Sequence, residues 1–554
     1  MKKRITKIVA IVSIAITSIF TVGFTDGYFE VSKNLDIFAT LFRELNIYYV
    51  DGADPGKLMK TGIDAMLESL DPYTNYIPES KMEDYKMMTT GQYGGIGALI
   101  QQQGDYIVIS EPYEGFGAFK AGLIAGDKIL EVNGNSAKGK TSSEIRDFLL
   151  GEPGTEVKIK IEREGEDAPL LKTVTREKVK IKDVPYYGMM KDSVGYIKLN
   201  GFTESASTEV KAALMALKEA NAKSFILDLR GNGGGLLKEA VEIVNFFVPQ
   251  GSDVVSTKGK IKDWDKTYKA LSAPIDVEVP LVVLIDNGSA SASEIVSGSL
   301  QDHDRAVVIG APSFGKGLVQ QVRPLSYNSK LKVTVAKYYT PSGRCIQKLD
   351  YTHRNSEGEV KEVPDSLIGE FKTLNSKRSV FDGKGIAPDV DVKKEYLSEI
   401  TSVLLIKNLI FNYATLYKLK HKTIPEVNDF ALTEEEYEDF VHYLKDKDYE
   451  YVTKSENLLG ELEKTAKEDK YYEDIKEEYQ MLKNKLALNK KDDLYKFKDE
   501  IKYVLESEII TRYYYQKGQI EASLKKDPAF EAALKTLTNH QLYSSILDGT
   551  YQSK

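Results

Sequence analysis

Between residues 190 and 395 short apolar strands alternate with helices, and this alternation limits the fold more than any other feature. "VGYIKLNGF" reads as a strand, "SASTEVKAALMALKEAN" as a helix, and "SFILDLRGNGGG" as a buried strand running into a glycine loop. "LLKEAVEIVNFFV" then reads as a helix, "PLVVLIDNGS" as a second buried strand, and "SASEIVSGSLQ" as a helix. "RAVVIG", "LVQQVRPL" and "LKVTVAKYYT" close the set as strands. Such alternation specifies an α/β domain.

The flanks differ in texture. At 554 residues the chain exceeds what one hydrophobic core can serve. The start, Met1-Lys2-Lys3-Arg4 with Lys7, precedes seventeen uncharged residues, "IVAIVSIAITSIFTVGF". That pattern predicts a signal peptide or N-terminal membrane anchor over 1–24. Residues 25–88 predict helices, from "LDIFATLFRELNIYYV" and "LMKTGIDAMLESL". From 89 to 181 short strands and glycines take over, and "YGGIGALI", "AGLIAGDKILEVNG" and the helix at 142–150 resemble a PDZ domain. Residues 182–395 form the α/β core, and 396–554, rich in Lys, Glu, Asp and Tyr, predict a mostly helical C-terminal domain. The net charge of −8 argues against a nucleic-acid partner. The single cysteine, Cys345, excludes a disulfide framework and any multi-cysteine metal site.

"GAPSFGKG", residues 310–317, matches most of a phosphate-binding loop. Such a loop has a hydroxyl after its lysine and a helix whose N-terminus faces the anion. Gly317 supplies no hydroxyl, and "LVQQVRPL" reads as strand. Lys316 therefore calls for another explanation.

Upstream, "NGSASASEI" at 287–295 follows a buried strand and opens a helix, whose first N–H groups point outward and stabilise negative charge. A serine there can serve as a nucleophile beside an oxyanion donor. Alternatively Ser293 simply caps the helix before Glu294. Only five histidines are available as a base, and His303 lies in an exposed-looking "QDHDR". Lys316, among Phe314, Gly315, Gly317, Leu318 and Val319, is the other option, since a desolvated lysine can act as the neutral base.

The segment from Gly288 to Gln320 resembles the signature of the C-terminal processing peptidases, or tail-specific proteases, which are serine endopeptidases with a Ser-Lys pair. The resemblance implies a multidomain α/β peptidase with a PDZ-like domain preceding its core. It makes Ser291 the nucleophile and Lys316 the general base. Gln320 would orient the lysine, and Asp302 matches an acidic residue implicated in some members, with organisation of the helix end as an equal alternative. "LDLRGNGGGLL" matches the family's glycine loop, so Gly234 and Ala292 would supply the oxyanion-hole N–H groups. Gly94, Gly95, Ile96 and Gly97 would bind the free C-terminus of a peptide added at the sheet edge. The implied activity is cleavage of exported proteins recognised by their tails, without metal, nucleotide or other cofactor. Independently of the resemblance, a lysine- and tyrosine-rich chain with such an N-terminal export signal predicts the bacterial periplasm, soluble or tethered to the inner membrane. The C-terminal helical domain is a candidate surface for homo-oligomer or envelope-adaptor contacts. A non-catalytic PDZ-containing scaffold is the competing reading.

Overall fold

The computed structural model describes residues 28–354, 358–393, 396–489 and 492–551. The segment expected to be a signal or anchor lies outside them. The described residues divide into two units, one of residues 28–76 with Val322–Ser326 and Lys330–Val333, the other of the remaining described residues.

In the first unit, helix α1 covers residues 28–48 and α2 covers Pro55–Glu68. Asp54 caps α2 by accepting the Lys57 N–H at 3.1 Å, and Pro55 occupies the first helical turn, where its missing N–H costs nothing.

The second unit begins with the PDZ-like region. Strand β1 (Gln92–Gly95) pairs with a distant partner, Glu177–Lys180. Next come β2 (Ala98–Gln103), β3 (Tyr106–Pro112), helix α3 (Gly117–Lys120), β4 (Lys128–Val132), helix α4 (Ser142–Leu149), β5 (Glu156–Glu162) and β6 (Leu170–Thr175). The strand order β2-β3-β4-β5-β6 leaves β2 at an edge. Alternate residues of β5, Val157, Ile159 and Ile161, point into a core with Ile107, Ile109, Ile129, Ile145 and Leu149.

The α/β core is built on β7 (Tyr186–Met189), β8 (Val194–Lys198), β9 (Ser224–Asp228), β10 (Leu281–Ile285), β11 (Val307–Gly310) and β12 (Val390–Asp391), hydrogen-bonded in that order. All neighbours are parallel except β7 and β8. Period-two alternation sorts the faces. Ile197, Phe225, Leu227, Val283, Ile285 and Val308 meet helices α5 (Ala206–Glu219), α6 (Leu237–Asn245) and α7 (Ala292–Asp302). Val194, Tyr196, Ile226, Val282, Leu284, Val307 and Ile309 face the other way. These strands are buried on both faces, which is why they read as continuous apolar runs.

The second face is covered by the far end of the chain. The C-terminal region contains α8 (Glu399–Ile406), α9 (Leu409–Lys420), α10 (Glu434–Tyr443), α11 (Lys498–Ser523), α12 (Pro528–Thr538) and α13 (His540–Leu547). The first four share a core of their own, including Ile410, Tyr413, Tyr437, Phe440, Ile501 and Leu505. Helices α12 and α13 instead put Ala529, Phe530, Ala533, Tyr543 and Ile546 against the sheet. Tyr543 accepts the Leu281 N–H at 3.0 Å through its hydroxyl. Arg230, in the glycine loop after β9, bridges Asp228 at 2.6 Å and Asp527 at 2.6 Å, and Asp527 caps α12. Burial opposes ionisation of Asp228, yet Arg230 and Lys198 outweigh it and hold the carboxyl far below its ordinary value. The end of the helical region is thus a structural layer of the α/β core.

Phe530 is 6% exposed and meets Tyr196 edge-on at 5.7 Å. Phe530→Ala is expected to cost about 3–5 kcal/mol, from lost burial and the residual cavity, measured as a lowered midpoint of urea denaturation with the secondary structure unchanged.

Candidate active site

Two loops at the ends of β9 and β10 are tied together before any functional side chain is placed. Asp286 Oδ1 accepts the N–H groups of Gly231 at 2.8 Å and Gly288 at 2.9 Å. A side chain on Gly288 would meet the Gly231 backbone at 2.9 Å, so glycine is required there. Asn232, fully buried, continues the tie: its Nδ2 donates to Leu199 O, and its carbonyl accepts from Ala290 N–H and Ser293 Oγ.

Ser291 follows at φ 55°, ψ −108°, backbone values that cost a non-glycine residue about 1–3 kcal/mol and cluster at functional sites. Helix α7 begins at Ala292, so the cap position belongs to Ser291. Ser293, considered as a cap from sequence, sits inside the helix with its hydroxyl on Asn232. The Ser291 carbonyl accepts from the Tyr338 hydroxyl at 3.2 Å, and burial pushes that phenol well above its ordinary range.

Three residues after Ser291, Glu294 is completely buried. Its Oε2 accepts Ser291 N–H at 2.7 Å and Lys316 N–H at 2.9 Å. Its Oε1 accepts Ser313 Oγ at 2.6 Å and Gly315 N–H at 2.7 Å. Two nitrogens donating to one oxygen at ordinary hydrogen-bond length are within about 6 Å of each other. One carboxylate therefore brings the Ser291 turn and the Lys316 loop together. Burial pushes the Glu294 carboxyl above its ordinary value, against four donors that favour the charged form.

The Lys316 loop is closed to a phosphate. Phe314 N–H donates to Ser289 O, Gly315 and Lys316 N–H to Glu294, and Gly317 N–H to Gln347 Oε1. The amides that a phosphate loop would offer an anion are already engaged. Strand β13 (Leu318–Pro324) follows directly, with no helix, as the sequence implies. Gln320, half-buried on this strand, donates to Thr334 Oγ1 at 3.2 Å. Strand β14 (Lys330–Tyr339) supplies Tyr338, whose N–H donates to Gly317 O.

Gly234, at φ 97°, lies against the same turn. A side chain there would come within 2.7 Å of Ala290 O, 2.9 Å of Ala292 N and 2.9 Å of Ser291 Cβ. Its own N–H donates to Asn232 Oδ1 at 2.9 Å. Ser291, Lys316, Gln320 and Gly234 are all half-buried, whereas Glu294, Asn232 and Tyr338 are buried behind them.

Asp302 is not brought to this group. It ends α7, about 16 Å along the axis from Ser291 at 1.5 Å per residue. Its carboxylate pairs with Arg344 at 2.8 Å and accepts Ser342 N–H at 2.9 Å. The run "QDHDR" is not an exposed segment: Gln301, Asp302 and Arg305 are buried. His303 contacts Asp253 O through Nε2 at 2.7 Å, at the same remote end of the helix.

In the PDZ-like region, Gly94 and Gly95 are already laddered to Lys178 and Glu177. Ile96 is buried, and Gly97, at φ 72°, turns the chain into β2 with Phe116 Cβ only 2.5 Å from where its own Cβ would lie. Among the described residues no strand pairs with the outer edge of β2, and Leu99 on it is 45% exposed.

Residues 193–353 match peptidase family S41, residues 108–163 a PDZ domain, and residues 400–537 the "Probable PDZ-protease, C-terminal helical domain". A carboxy-terminal-processing protease of Bartonella bacilliformis is 38% identical over 324 residues, 58% of this chain and 74% of the relative. The chain belongs to the carboxy-terminal-processing proteases of peptidase family S41. A probable CtpA-like serine protease of Staphylococcus aureus is 37% identical over 317 residues, 57% of this chain and 63% of the relative. Among solved structures, the photosystem II D1 C-terminal processing protease shares 28% identity and a TM-score of 0.34, covering 65% of this chain and 93% of that one. In this protease the S41 match spans Ser291, Lys316, Gln320, Gly234 and Glu294.

Glu294, Asn232, Ser313 and Tyr338 were not foreseen as parts of the site. The one signal available was Glu294 three residues beyond a serine, the spacing of a capping box. Glu294→Gln places an NH2 group among four donors. It is expected to lower peptidase activity by roughly a hundredfold through misplacement of the site, with circular dichroism unchanged. Gly234→Ala is expected to do the same, because its new methyl has no room beside Ala290 and Ala292.

Proposed function

We propose that the protein is a serine endopeptidase that cleaves exported proteins recognised through their C-terminal tails, with Ser291 as nucleophile and Lys316 as general base. The observation that carries this reading is the single Glu294 oxygen that accepts the N–H of both residues. It is supported by the remoteness of His303, which sits at the far end of α7.

In this reading Lys316, as the free amine, takes the proton from Ser291 Oγ as that oxygen attacks the peptide carbonyl. The carbonyl π electrons move to oxygen, giving a tetrahedral oxyanion held by the N–H groups of Ala292 and Gly234. Collapse re-forms the carbonyl and breaks the C–N bond. The leaving amine takes the proton from Lys316, and an acyl ester remains on Ser291. Water, deprotonated by Lys316, attacks the ester and releases the new C-terminus while the proton returns to Ser291. Because Gly234 N–H rests on Asn232 Oδ1, the full oxyanion hole forms only when that hydrogen bond is given up. Gln320 would orient the lysine from β13. Asp302 takes no part in the chemistry and braces the helix end through Arg344.

The tail enters as a strand along the open edge of β2, beside α4, with its carboxylate at the Ile96-Gly97 turn. The basic, apolar residues 1–24 support export, with the periplasm as the setting.

The test is hydrolysis of an unstructured peptide with an apolar free C-terminus, without ATP, by protein lacking residues 1–24. Cleavage by wild type that falls at least ~1000-fold in both Ser291→Ala and Lys316→Ala is expected, since the two act as a unit. Equal cleavage by wild type and Lys316→Ala would place the base elsewhere.

A further inference from the structure

The C-terminal helical region also touches the PDZ domain, and the contact is narrow and strained. Helix α11 breaks at Tyr515, which takes φ 54° and ψ −158°. Neither value is helical, and a bulky residue holds such a conformation only where its surroundings impose it. Two PDZ residues meet the break. Glu111, at the end of β3, accepts the Gln516 N–H at 3.1 Å, an amide that follows the break directly. Phe119, on α3, meets the Tyr515 ring edge-on at 6.1 Å.

Other contacts lie around it, and the buried Arg512 guanidinium of α11 attracts the Glu111 carboxylate. Val108, Ala125 and Phe411 form a small buried cluster of their own. Gly126, at φ 94°, lies so close to α9 that a side chain would fall 2.6 Å from Thr415 Cγ2. Gln101, on the open-edge strand β2, reaches Asn408 at 3.5 Å. Between these points lies a cavity of about 260 Å³ lined by Glu111, Phe119, Thr415, Lys418, Arg512 and Tyr515, among others. A seam held at a few points around a void fixes orientation without a large apolar interface to make it permanent.

We propose that the helical domain positions the peptide groove of the PDZ domain: Tyr515 and Gln516 form the seat, and Glu111 and Phe119 are the residues that dock on it. This rests on the peptidase reading above, and makes the four residues positioning residues for tail-dependent cleavage. A tail bound along β2 delivers the rest of its chain toward Ser291 only if the groove is held at one orientation. The helix break is the feature that exposes the Gln516 amide to Glu111.

The experiment compares two substrates, one protein with an apolar free C-terminus and one short peptide with a blocked, amidated end. Glu111→Ala and Phe119→Ala are expected to raise KM for the tailed substrate at least about fivefold, with kcat and the blocked peptide within about twofold of wild type. Tyr515→Phe keeps the ring and stays close to wild type. Amide hydrogen exchange supplies a readout independent of activity: exchange at Gln516 accelerates in Glu111→Ala. Faster exchange with an unchanged KM, or equal losses on both substrates, would overturn the positioning role. Wild-type protein that cleaves neither substrate overturns the peptidase reading and the seam's role with it.

Discussion

The Glu294 carboxylate receives four donors from two segments of chain, and the arrangement of the site depends on it. A buried carboxylate with no partners would be severely destabilising. Here Ser291, Ser313, Gly315 and Lys316 supply the donors, so the charge is compensated only when both segments are in place. That makes the assembly of the site cooperative. Asn232 does the same for the glycine loop, through bonds to Leu199, Ala290 and Ser293. Tyr338 closes the third side, with its hydroxyl on Ser291 and its amide on Gly317. The half-buried Ser291, Lys316 and Gln320 therefore stand on a fully buried polar frame, whose hydrogen bonds are strengthened by exclusion of water.

The frame is in turn held by the sheet. Helix α7 is buried along its whole length, and at Gly298 a side chain would come within 2.7 Å of Ile386. Its far end is pinned by the Asp302–Arg344 pair, with both side chains almost completely buried. The opposite face of the sheet depends on helices α12 and α13, more than two hundred residues beyond β11 in the chain. The C-terminal region thus completes the core at its end and meets the PDZ domain through the break in α11.

Much of this was legible in the sequence. Strands such as "LVVLI" and "SFILD" are buried on both faces and could be read from composition alone, and the change from strand to helical texture located the PDZ and C-terminal regions. The Ser291 turn announced itself by small residues between a buried strand and a helix. Glu294 was harder, because its partners Ser313 and Lys316 come from another segment. The Asp302 run looked exposed for the same reason: Arg344, which neutralises it, is 42 positions away. The contact of Tyr543 with Leu281 spans 262 positions, and nothing local in either segment signals it. Local pattern showed which residues are apolar; which polar groups satisfy one another was decided by tertiary structure.

The measurement that bears most directly on this account is covalent labelling by a serine-directed peptidyl phosphonate, mapped by mass spectrometry on wild type and Glu294→Gln. The account predicts one adduct, on Ser291 in wild type, and little or none in the folded variant. Equal labelling of the two proteins, or an adduct on another residue, would contradict it.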